Sequence, residues 1–188
     1  MAMVSAVSIC NIALAQLGAN PIHSLNDAGT EAALCNTFYE QLVRAYLDKH
    51  PWNFAIRRIE LPPDVETPLY QYKYQFTLPA DCLRILTVDG DQKYNAEGRR
   101  IVTNKSTCFL KYVAEVTDTS QWSQGFIEVL TAAMTLRLAY PITKSADQVS
   151  LAQQNLQLAL QSALAIDASE DISDDFGPDA SSFIAVRF

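Results

Sequence analysis

The stretch Tyr46-Leu47-Asp48-Lys49-His50-Pro51-Trp52-Asn53-Phe54-Ala55-Ile56 is where the chain changes its period, and it decides the fold class. Upstream of it, Leu34, Phe38, Leu42 and Tyr46 recur at steps of four, which keeps apolar side chains on one helix face. Pro51 ends that helix at about Lys49, because proline disfavours helical backbone in the residue before it. Downstream, Phe54 to Glu60 reads as strand. Trp52 is expected in the core of the helix–sheet junction, beside Phe54.

Working back toward the N-terminus, Thr30 is the expected N-cap of this helix, with Glu31 favourably placed in its first turn. A shorter helix is predicted over Val4 to Leu17, with Val7, Cys10, Leu14 and Leu17 on one stripe. Gly18 supplies its stop and Asn20-Pro21 a turn.

Working forward, Leu61-Pro62-Pro63-Asp64 to Pro68 is a proline-rich loop. Tyr72 to Leu78 alternates apolar and polar residues, Leu83 to Val88 is a further strand, and Asp89-Gly90-Asp91 marks a turn. Glu97-Gly98-Arg99 reads as a turn before Ile101-Val102, and Cys108 to Val113 closes the set. The expectation is one small antiparallel sheet of four or five strands. Helical periodicity returns after the capping residues Asp118 to Ser120 and runs through Phe126, Val129, Leu130, Ala133, Met134 and Leu136 to Tyr140, where Pro141 breaks it. Ser145 caps a fourth helix from Ala146 to about Ala168.

The fold class is therefore mainly α with a small antiparallel β insertion: a four-helix bundle, a β domain and an extended C-terminal arm. The division is 1–53 and 119–170 for the helices, 54–118 for the β-rich insertion, and 171–188 for the acidic arm.

At 188 residues the chain suits one domain, or one domain with a small insertion. Charged residues make up 19%, against about 25% in an average soluble domain, so some surface is expected to be covered by a partner. The net charge of −7 argues against wrapping nucleic acid by neutralising phosphates. From Asp167 to Phe188 six acids face one base, so −5 of the −7 sits in the tail. The four cysteines, at 10, 35, 82 and 108, show no CxxC pair and no short spacing to histidine; they read as reduced, buried thiols.

Two uncharged stretches, Met1 to Asn26 and Gln148 to Ile166, are interrupted by Ser, Asn and Gln, and neither offers the ~20 mostly apolar residues of a bilayer span. The expectation is a soluble chain made in the cytosol. A helix like Gln148 to Ile166, with no charged face, is rarely a solvated one.

Candidate chemistry is sparse. His23 lies in the first interhelix loop, and His50 reads as a cation-capable side chain at a helix C-terminus. No nucleophile elbow, glycine-rich phosphate loop or calcium-loop spacing occurs, so no cofactor, metal ligand or catalytic residue is expected. Asp64 and Glu66 could pose as a carboxylate pair for glycoside cleavage, and a tail-associated glycan hydrolase is the alternative functional reading.

Arg57-Arg58, Lys93, Arg99-Arg100 and Lys105 form either a solvated sheet face or a rim that meets DNA or an acidic partner; the solvated face is the simpler reading. Tyr70, Tyr72 and Tyr74 are either sheet packing or an exposed aromatic contact patch. After the acidic Ser173 to Asp179, apolar residues return abruptly. Phe176, Phe183, Ile184, Val186 and Phe188 are accordingly the expected partner-docking residues, on a segment that orders only on its partner.

Several stretches also line up in one order. Ser8-Ile9-Cys10-Asn11-Ile12-Ala13-Leu14-Ala15-Gln16-Leu17-Gly18 leads into Pro21-Ile22, Ser24-Leu25 and Asp27. His50-Pro51-Trp52-Asn53-Phe54-Ala55 follows, with Arg58 shortly after, then Leu78-Pro79-Ala80-Asp81-Cys82-Leu83-Arg84. Over residues 4 to 140 this order resembles the head-to-tail adaptor proteins of tailed bacteriophages, the tail tubular protein A-like family.

The resemblance implies a non-enzymatic virion protein, assembled in the host cytoplasm and placed at the neck of the particle. It implies a homo-oligomeric ring of twelve subunits on the portal protein, with a downstream tail or nozzle protein as the other partner and a monomer possible in isolation. DNA would pass through the channel without sequence-specific binding, and no membrane is involved.

Overall fold

The computed structural model describes residues 4–88 and 93–170. The expected Asp89-Gly90-Asp91 turn and the docking residues Phe176, Phe183, Ile184, Val186 and Phe188 lie outside the described residues. Within them the chain is α+β, with four helices and two small antiparallel sheets.

Helix α1 (Ala6–Gln16) starts at a reciprocal serine box. Ser8 N–H donates to Ser5 Oγ at 3.1 Å and Ser5 N–H donates to Ser8 Oγ at 2.8 Å, so two otherwise orphaned amides are satisfied. It stops where Gly18 takes a φ of +69°, a backbone that side chains other than glycine rarely adopt. The loop that follows is fastened at two points. The Asn11 side chain pairs with both backbone groups of Ile22, and Asp27 accepts from the His23 and Ser24 amides. The Ser24 and His23 amides hold the Asp27 carboxyl below its ordinary pKa.

Helix α2 (Thr30–Lys49) ends before Pro51 as expected, but its N-cap is Gly29 rather than Thr30, and no side chain caps it. Thr30 already has helical backbone, so its hydroxyl sits one residue too late to receive the orphan amides.

The strands are β1 (Ile56–Leu61), β2 (Tyr74–Thr77), β3 (Cys82–Val88), β4 (Tyr94–Glu97), β5 (Arg100–Thr103) and β6 (Cys108–Ala114). They form two sheets rather than one, in the orders β1-β6-β3 and β2-β5-β4. β4 was not legible because Tyr94-Asn95-Ala96-Glu97 has little strand propensity. It forms because the Gly98-Arg99 turn, with Gly98 at φ +61°, folds it onto β5 in register Glu97↔Arg100. The tyrosines do not share one alternation. Gln71 sits at φ +71° and interrupts the extended backbone; Tyr74 enters β2, Tyr72 is half-buried and Tyr70 stays exposed.

Helix α3 (Gln124–Thr143) runs through Pro141 rather than stopping before it. So near the C-terminus the proline forfeits only the bond its N–H would make to Arg137, and the helix closes one turn later. There Lys144, in the left-handed region at φ +55°, donates its N–H to Tyr140 O at 3.0 Å. By length and composition α3 is apolar enough to cross a bilayer, with a mean hydropathy of 1.2. More than half of that window is buried against the other helices, as suits a core helix.

Helix α4 (Ala146–Glu170) lies along α3. Their approach is close at Gly125, where an added Cβ would stand 3.0 Å from the Ala163 Cβ.

One contiguous core joins helices and strands. At its centre Phe126 meets Trp52, Phe54 and Trp122 edge-on, with ring centroids 5.2, 5.3 and 5.0 Å apart. Each tryptophan donates its indole N–H to the carbonyl six residues earlier, Trp52 to Tyr46 and Trp122 to Val116, both at 2.9 Å. All four cysteines are buried and none is in a disulfide.

Candidate interaction surfaces and the Asp167 junction

Asp167, whose charge the sequence reading counts with the C-terminal acids, is a buried residue of α4 with 7% of its surface exposed. One carboxylate oxygen lies 2.9 Å from His50 Nε2, and the other accepts from the Asn53 N–H at 3.2 Å. Asn53 Nδ2 also donates to the Asp167 carbonyl at 2.8 Å. The sequence places His50 at the end of α2, and there it stands, but its ring is spent on this carboxylate and on the edge of Trp52 rather than on the helix end alone. Among the described residues no hydroxyl or thiol hydrogen-bonds His50, whose ring pairs with the Asp167 carboxylate. Its work is to tie the last turn of α4 to the α2–β1 junction.

Asp167→Ala leaves the Asn53 amide and the imidazole without their acceptor. It should cost about 2–3 kcal/mol, lowering the melting temperature by roughly 5–10 °C in a thermal circular-dichroism scan. Asp167→Asn, which keeps an acceptor for the amide, should lose clearly less.

The other sequence candidates scatter. The Asp64 carboxylate accepts from the Thr77 N–H at 3.3 Å and hydroxyl at 2.9 Å, lashing the loop to β2, while Glu66 is exposed. The two acids do not converge across a cleft. His23 is exposed in its loop.

The basic residues divide. Arg99 is a clamp: its guanidinium donates to Pro79 O, to Ala80 O at 3.2 Å and to Cys82 O at 3.5 Å, which holds the Leu78-Pro79-Ala80-Asp81 turn. Arg57 lies 3.9 Å from Asp81, whose carboxylate also accepts from the Tyr112 hydroxyl. Arg58, Lys93, Arg100 and Lys105 are exposed, and none has an ion pair among the described residues. Among the described residues no three His, Cys, Asp or Glu side chains gather as a metal site would.

What stands out is apolar. The inward face of α4 carries Ala152, Leu156 and Ala163; its outward face carries Leu151, Leu158 and Ile166 at 51%, 65% and 55% exposure. Steps of seven and eight put these three on one side of the helix, among Gln154, Asn155, Gln161 and Ser162 with no charge. A second exposed apolar group, Val65, Leu69 and Tyr70, tips the loop between β1 and β2. The absence of charge in Gln148 to Ile166 was the signal for the first. The second had none, because isolated apolar residues in a proline-rich loop look the same buried or exposed.

Compared with known proteins, the chain matches no protein-family model and no curated sequence.

Proposed function

We propose that the chain is a structural head-to-tail connector of a tailed-phage virion. In this reading the four helices act as one bundle that carries the β-rich insertion and the C-terminal arm. Copies assemble as a ring on the portal and extend the DNA channel toward a tail or nozzle protein. The observation that carries the reading is the outward face of α4, where Leu151, Leu158 and Ile166 lie exposed on a helix flank without charge. A flank of that kind is unfavourable in water and favourable against a sister subunit. The ordered resemblance over residues 4 to 140 adds support, and so does the acidity of the chain, which suits a wall past which DNA slides.

The arm, with Phe176, Phe183, Ile184, Val186 and Phe188, is the docking segment for the portal in this reading. Deleting residues 173–188 should leave the melting temperature unchanged and abolish attachment to purified portal rings, scored by electron microscopy of the mixture. Attachment that survives the deletion would refute the docking role; full-length protein that never decorates portal rings would refute the connector itself.

A further inference from the structure

The outer face of the first sheet carries cations that nothing in the described chain neutralises. In the β1–β6 ladder Arg58 stands directly opposite Lys111, and Glu60 opposite Phe109; in β3, the residue in register with Lys111 is the uncharged Thr87. Residues opposite one another in an antiparallel ladder share a face, and like charges placed so repel. Among the described residues neither Arg58 nor Lys111 forms an ion pair, and Glu60 pairs with neither. Beside these cations Phe109 leaves 47% of its surface exposed, and Arg58, Glu60, Thr87, Phe109 and Lys111 line an open depression of about 460 Å³. The face asks for an occupant that is acidic and partly apolar.

The chain carries such a segment, tethered close by. Residues 171–188 hold four aspartates, Asp171, Asp174, Asp175 and Asp179, against the single Arg187, together with the apolar residues named above. They begin just after Glu170, three residues past Asp167, whose carboxylate accepts from the Asn53 N–H at the entry to β1. From Asn53, Arg58 is five residues along, about 16 Å at ~3.3 Å per residue of strand. Eighteen residues can span up to ~60 Å, so the aspartates reach the basic row with chain to spare. A tether of this length also presents them at roughly millimolar effective concentration.

We propose that in the unassembled protein residues 171–188 lie across the outer face of their own first sheet, aspartates toward Arg58 and Lys111 and an arm aromatic against Phe109. The arm and the basic face then cover one another until a partner displaces the arm. This inference does not rest on the virion reading.

Zero-length carbodiimide cross-linking of the full-length chain tests it, using a mixture of isotopically light and heavy protein with peptide mass spectrometry. The expected result is an amide between Lys111 and an arm aspartate within one isotopic form. Its yield should fall by roughly fivefold or more in 0.5 M NaCl, where the Debye length is about 4 Å. Arg58→Glu should lower the yield several-fold, whereas Arg100→Glu, on the other sheet, should leave it unchanged.

Mixed-isotope links alone would make a second copy the occupant and overturn the proposal. So would Lys111 linking only to Asp89 or Asp91, which follow β3 in sequence. So too would a fluorescent DNA duplex that binds this face and is weakened by Arg58→Glu while arm links are absent.

Discussion

Trp52→Ala should destabilise the protein by about 3–5 kcal/mol, the range for truncating a large buried aromatic, and it is the most damaging single substitution expected here. Trp52 is 1% exposed, its ring packs edge-on against Phe126, and its indole N–H satisfies the Tyr46 carbonyl at the end of α2. Alanine therefore opens a cavity and strands a buried acceptor at the same point. Chemical denaturation followed by tryptophan fluorescence at Trp122 and by far-ultraviolet circular dichroism would measure the loss. Trp52→Phe, which keeps most of the ring but not the donor, should recover more than half of it. A Trp52→Ala midpoint close to that of the wild type would mean that the junction does not hold the core together.

The second large effect is on assembly rather than stability. Leu151→Lys and Leu158→Lys together should leave the melting temperature within a few degrees of the parent, since exposed sites away from caps and cores usually change stability by no more than about 0.5 kcal/mol each. The same pair places two charges on the outward flank of α4 and should eliminate ring formation on portal, because an unpaired charge in a closed interface costs several kcal/mol. Size-exclusion chromatography of the variant with portal separates the outcomes. Normal rings from a normally folded double variant would remove α4 from the interface.

The helices were legible in the sequence because their apolar period survives over ten or more residues: Leu34-Phe38-Leu42-Tyr46 in α2, Phe126 to Leu138 in α3. The errors fell where local chemistry was overruled. Pro141 ends a helix by local rule, but at its last turn the lost bond is single and Lys144 closes the end instead. β4 owes its existence to the β5 strand it pairs with and not to its own residues.

Asp167 illustrates the same limit at the junction. The sequence puts it in the fourth helix but gives no sign of burial, because the helical phase that also buries Ala163 turns it toward partners more than a hundred residues away. Arg99 and Arg58 are alike in sequence; only the fold gives one a turn of carbonyls to hold and leaves the other facing outward.

The pair of tryptophans around Phe126 has a consequence for how this chain can vary. One guards the way into the strand-bearing segment and the other the way out, and both lean on the same phenyl ring. The two ends of that segment are thereby fixed side by side, like the posts of a gate. Lengthening or replacing what hangs between them would change the surface shown to the outside while the helical base keeps its shape.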